Sequence, residues 1–151
     1  MSETEFRAAA LEVINEAFAV FGLNPGEHLV REEPKRTIWG FKRGSAQIFI
    51  ILCFDESGAW IQVISPILAL PPAARRAECY EHLLKLNTRR LVSCAFGIEN
   101  DQIIVGSDRS TNDLQAAELQ DMILCVSSFA DEYDDILAEQ FGCELLGDLA
   151  E

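Results

Sequence analysis

Residues 48–54 read Ile-Phe-Ile-Ile-Leu-Cys-Phe, apolar at every position. A strand that faces water on one side alternates polar with apolar residues, so this segment belongs in a sheet with both faces covered. Its surroundings are strand-like too. Residues 28–33, 37–42, 46–54 and 59–68 carry the β-branched and aromatic residues of strands, and Asp55-Glu56-Ser57-Gly58 forms a hairpin turn between the last two. The pattern predicts an antiparallel meander with something packed on each side.

Helical spacing brackets the meander. Ser2 and Glu5 stand at capping-box distance, after which Phe6, Ala10, Val13, Ile14, Ala17 and Phe21 recur every three or four residues until Gly22 and Pro25 stop the helix. Pro71 and Pro72 suit the first turn of a second helix, with Ala73, Ala77, Tyr80, Leu84 and Leu91 on one face and Leu83 on its flank. A hairpin over 92–98 and 102–107 turns at Glu99-Asn100-Asp101. Thr111 or Asn112 then caps a long helix whose stripe is Leu119, Met122, Ile123, Val126, Phe129, Ala130, Tyr133, Ile136, Leu137 and Phe141, with Gly142 as its stop. The expected architecture is α+β, an antiparallel sheet with helices in the order α-ββββ-α-ββ-α. One domain is expected over 1–142, followed by a loose acidic tail over 143–151.

Of 151 residues, 12 are basic and 25 acidic, a formal charge of −13. Residues 1–98 balance 11 bases against 11 acids, whereas 99–151 hold 14 acids and a single base, Arg109. Such a chain is repelled by phosphate backbones and anionic membranes, so nucleic acid is an unfavourable partner. No 18-residue uncharged apolar run or signal-peptide pattern occurs, and a cytoplasmic setting without membrane contact is expected.

Chemical motifs are absent. The two histidines, His28 and His82, have no orienting acid at motif spacing; no Gly-rich phosphate loop exists; Cys53, Cys79, Cys94, Cys125 and Cys143 form neither a CxxC pair nor a zinc spacing. The acids Asp131, Glu132, Asp134 and Asp135 lie within a helical pattern where their oxygens diverge, so calcium is disfavoured. No catalytic residue, cofactor site or metal site is expected.

What remains are contact surfaces. Trp39 and Phe41 share one side of a strand next to Lys42 and Arg43, which would suit stacking on single-stranded RNA or contact with a protein, and Trp60 lies on the same sheet. On the long helix, Leu124 falls with Asp131 and Asp135 away from the main stripe: an apolar anchor with acids to attract basic groups. A third reading, a small-molecule binder or enzyme, requires a pocket that the residues do not disclose.

Residues 60–70, Leu83-Leu84-Lys85-Leu86-Asn87, Phe96-Gly97-Ile98 and 129–137 (Phe-Ala-Asp-Glu-Tyr-Asp-Asp-Ile-Leu) together resemble the YbjN-like family, which is similar in fold to the type III secretion chaperones. The resemblance spans roughly 5–142. It implies a homodimeric, non-enzymatic α+β protein with a chaperone-like or regulatory role toward a protein client. Four strands before the middle helix are a departure, which implies that the client-binding edge of secretion chaperones is occupied or displaced here. Because the five cysteines sit mainly in apolar patterns, thiol titration of the unreduced, denatured protein should count five free groups, and a lower count would reveal a disulfide.

Overall fold

The computed structural model describes residues 2–146. Helix α1 (Glu3–Val20) precedes strands β1 (Leu29–Glu33), β2 (Arg36–Arg43), β3 (Ala46–Asp55) and β4 (Gly58–Ala69). Then follow α2 (Arg76–Arg89), β5 (Ala95–Glu99), β6 (Gln102–Ser110) and α3 (Ala116–Phe141). The six strands form one sheet in the order β1-β2-β3-β4-β6-β5, antiparallel throughout. This is the expected α+β order.

Each helix begins and ends for a local reason. Ser2 caps α1: its hydroxyl accepts from the Glu5 N–H at 3.3 Å, and its own N–H donates to Glu5 Oε2 at 2.9 Å. The long helix starts later than expected, at Ala116, with the Gln115 N–H donating to Glu118 Oε2 at 2.8 Å. Thr111 does not cap it: its N–H and its hydroxyl both donate to the Ala59 carbonyl, at 3.0 and 3.3 Å, which prolongs the pairing of the last two strands of the ladder short of the helix start. Gly142 ends α3 at φ 72°, a left-handed conformation that a side chain would strain. In α2 the buried residues are Cys79 and Leu83, whereas Leu84, expected on the inner face, is 67% exposed. The error is one residue of helical phase. Ile136 of α3, also assigned inward, is exposed.

Burial alternates along β2 and β3. In β3, Ala46, Ile48, Ile50, Leu52 and Phe54 are buried beneath the helices, and Gln47, Phe49, Ile51 and Cys53 between them are half-buried on the opposite face. Helix α3 packs across β3, β4 and β6, with α1 against α3 and β4. Phe18 of α1 joins them: its ring meets Phe41 edge-on at 5.5 Å and Trp39 at 6.5 Å. Helix α2 lies at the end of α3, where His82 meets Phe141 at 5.4 Å and Arg75 Nη2 donates to the Gln140 carbonyl at 2.8 Å.

The expectation of a loose tail does not hold for its first four residues. Leu145 bridges to Leu68, the Ala69 N–H donates to the Glu144 carbonyl at 2.9 Å, and Cys143 and Leu146 are buried. Apolar side chains that complete the core outweigh the acidity of the segment. Residues 147–151 of the proposed tail lie outside the described residues. Since Phe18 is completely buried at the meeting of α1 with β2, Phe18→Ala should destabilise the domain by about 3–5 kcal/mol. Urea denaturation monitored by tryptophan fluorescence, with an unchanged slope, measures the loss.

Candidate functional site

One face of the sheet has no helix over it. In rows across the strands, the register places Arg36, Cys53 and Trp60 together, then Ile38, Ile51, Gln62 and Asp108, then Gly40, Phe49, Ile64, Gly106 and Ala95. A further row runs through Lys42 and Gln47, and beyond it Pro66, Ile104 and Gly97 follow on β4, β6 and β5. The two-sided hydrophobicity of 48–54 is thereby accounted for: one side is core and the other is this open, largely apolar surface. Gly40 lets it close up. A Cβ there would stand 3.0 Å from Val30 Cγ2 and 3.1 Å from Phe49 Cε1, so β1 and β3 approach over a position that admits no side chain. A groove of about 320 Å³ runs over Ile38, Phe49, Ile51 and Ile64 between Arg36 on one wall and Glu99 on the other.

The two edges of the sheet differ. On β5, the Phe96 N–H donates to Asn87 Oδ1 at 2.7 Å and Asn87 Nδ2 donates to the Phe96 carbonyl at 3.2 Å. The side chain of α2 thus satisfies the outward main-chain groups of Phe96 at the middle of that edge. This gives Asn87, the end of the Leu-Leu-x-Leu-Asn segment, a structural role that spacing alone did not show. Strand β1 is exposed at all five residues, and it covers β2, which would otherwise be the edge.

A second groove, of about 470 Å³, lies where α3 passes the β2–β3 turn, floored by Phe49, Ile67, Ala130 and Leu146 and rimmed by Lys42 and Asp135. Here Asp131 accepts the Ser45 hydroxyl. Burial, the largest influence, raises the pKa of Asp134, and the charges of Asp135 and Asp131 add to it. Elsewhere burial pushes the thiols of Cys79 and Cys94 up to about 11 and about 12, with Cys143 and Cys125 as their respective neighbours. Protonated thiols of this kind are poor nucleophiles. Among the described residues no cluster of His, Cys, Asp and Glu could hold a metal ion.

The residues singled out from sequence are not gathered into one place. Trp39 and Phe41 are 4% and 6% exposed, facing Phe18 in the core, so neither can stack on RNA or touch a partner. The strand phase decides this: they alternate with Ile38 and Gly40, and it is the latter pair that faces outward. Trp60 is on the open face. Leu124 is 38% exposed beside Ser93 and Asp108, away from the groove that Asp135 rims. Sequence reasoning missed the half-buried Phe49 and Ile51 as residues of the open face, although the doubly apolar run contained the signal.

The fold and this open sheet define the class: an α+β protein with the architecture of type III secretion chaperones. Similar in structure are a chain of the HopA1–SchA chaperone–effector complex (TM-score 0.60, 9% identity, covering 89% of this chain and 99% of that one), and a chain of the ExoU–SpcU heterodimer from the type III secretion system of Pseudomonas aeruginosa (TM-score 0.53, 12% identity, 79% and 93%). A third is a chain of the Yersinia pestis secretion chaperone SycH bound to a fragment of YscM2 (TM-score 0.51, 12% identity, 80% and 96%). No curated protein sequence matches the chain significantly. Residues 25–146 match the family described as T3SS (YopN, CesT) and YbjN peptide-binding chaperone 1, and the chain belongs to that family.

The pKa of Asp134 carries a pH signature. A carboxyl whose folded pKa is raised favours the folded state below the unfolded pKa, and this advantage is lost as pH rises through the folded value. Asp134→Asn should therefore raise Tm at pH 7, with the gain shrinking toward pH 4, as scanning calorimetry at the two pH values will report.

Proposed function

We propose that this protein is a non-enzymatic, cytoplasmic chaperone-like module that holds an extended segment of a client protein and works as a homodimer. The observation that carries this reading is the asymmetry of the sheet: one edge is clamped by Asn87, while the other, β1, is exposed along its length beside an apolar face with no helix over it. An added strand gains main-chain hydrogen bonds from such an edge, and side chains at alternate positions gain burial on the adjoining face. Membership in a peptide-binding chaperone family supports the same reading, as do the printed descriptions of similar folds as chaperone–effector complexes. Among the described residues no helix is long and apolar enough to cross a membrane.

The RNA reading lost its two aromatics to the core. Neither groove supplies a specific observation in favour of a small-molecule enzyme.

The test uses a peptide selected from an array of 12-residue segments. On binding, hydrogen exchange should slow at the amides of Leu29–Glu33 and remain unchanged in Ala95–Glu99. Protection confined to the helices, or no peptide bound anywhere on the array, would overturn the reading.

A further inference from the structure

The two grooves form one path. Phe49, Pro66 and Gln102 line both, so the grooves meet over these residues. The first is walled at the edge strand by Val30 and Arg31, and the second runs under α3 over Ile67, Ala130 and Leu146. Strands lie ~4.8 Å apart. A chain that leaves β1 and crosses β2 therefore reaches Phe49 of β3 within about three extended residues, at ~3.3 Å each.

The walls of the second groove differ in charge. On one side α3 presents Asp134 and Asp135, with Asp131 beside them; on the opposite rim β2 presents Lys42. Among the described residues none of these four takes part in an ion pair. Asp131 accepts the Ser45 hydroxyl, and Asp134 Oδ2 stands 3.3 Å from the same oxygen. A hydroxyl has one proton to give, so two carboxylates converge on a single neutral donor. Asp134 Oδ1 is taken by the Asp135 N–H at 2.6 Å, which leaves its Oδ2 short of a donor. Asp134 is half-buried as well, and burial with like charges beside it disfavours its ionised form. A cation relieves each of these conditions. Among the described residues these acids form no group able to hold a bare metal ion, and the apolar floor suits a charge carried on a hydrocarbon stem.

We infer that the groove under α3 anchors an arginine of the client segment, with its stem over Ile67, Ala130 and Leu146 and its guanidinium across Asp131 and Asp134. This rests on the client reading and deepens it by naming a residue that the client must carry. Arginine suits the place better than lysine, because its planar fork offers five donors to two carboxylates at once, whereas an ammonium is a single point of charge. Lys42 repels the cation from β2 and so directs it to the α3 wall. The client therefore pairs with β1, crosses the open face with an apolar residue over Phe49, and places its arginine a few residues beyond the paired stretch.

The experiment uses the full chain and the array of 12-residue segments, each presented in two forms, one unchanged and one with every arginine replaced by citrulline, which keeps the shape and removes the charge. Twelve extended residues reach ~40 Å, enough for five opposite Leu29–Glu33 and the crossing to α3. In fluorescence anisotropy the tightest binder should lose about tenfold in affinity in its citrulline form. Asp131→Asn with Asp134→Asn should lose the same factor for the arginine peptide and bind the citrulline peptide as the wild type does. Glu12→Gln with Glu16→Gln removes equal charge from the exposed side of α1 and should leave both affinities unchanged, which separates an anchor from general attraction to an acidic protein. Far-UV circular dichroism verifies folding of each variant. A tightest binder without arginine, equal affinity for the two forms, or an α3 variant no weaker than the α1 variant would each overturn the anchor. A peptide that protects Leu29–Glu33 from hydrogen exchange yet is indifferent to citrulline removes the anchor alone, whereas no peptide bound in either form overturns the client reading and the anchor with it.

Discussion

Everything in this molecule depends on the contact of α3 with the centre of the sheet. Ile48, Ile50 and Leu52 of β3, Ile61 and Val63 of β4, and Ile103 and Val105 of β6 have no exposed surface, and they lie beneath Leu119, Ile123, Val126 and Leu137 of α3, which are equally buried. A fully buried aliphatic side chain contributes about 1.5–3 kcal/mol. No polar interaction found among the described residues approaches that sum, since each of the six ion pairs includes a side chain at least 46% exposed, and such surface pairs contribute at most about 1 kcal/mol. Helix α1 and the segment through Leu146 complete the same layer by packing around that contact.

A sheet covered by helices on a single side leaves two problems in water: an apolar back and open edges. At the β5 edge a single side chain of α2, the Asn87 amide, satisfies both the donor and the acceptor of Phe96. At the other end β1 covers β2 and then stands exposed itself. The fold confines the exposed edge and the open apolar face to the side away from α3. Acidic side chains on the outward surface of α3 keep that side dispersed in water.

Much of this architecture was legible in the residues. The order of elements, the hairpin turns at Asp55–Gly58 and Asn100–Asp101, and the stripe of α3 follow from short-range chemistry, namely which residues tolerate positive φ, cap a helix, or repeat at a helical period. At Leu84, Trp39 and Phe41 the difference is one of phase. Leu84 was placed inward because α2 is short and its apolar residues fit two neighbouring faces, and only the docking against Phe141 chose Cys79 and Leu83. The basic neighbours Lys42 and Arg43 suggest solvent for Trp39 and Phe41, yet Phe18 covers both rings.

The amino-acid sequence by itself determined that residues 48–54 form a strand with two apolar sides and that helices flank an antiparallel meander, because each of these depends on neighbours within a few positions. Which side of that strand became core and which became surface was decided only in three dimensions. The two faces carry comparable hydrophobicity, Ile48, Ile50 and Leu52 on one and Phe49, Ile51 and Cys53 on the other, so local pattern cannot rank them. The choice is made by the reach and direction of α1 and α3, whose connections bring both helices to the same side, and by the Asn87 clamp and the Leu68–Leu145 bridge, contacts between residues far apart in the chain.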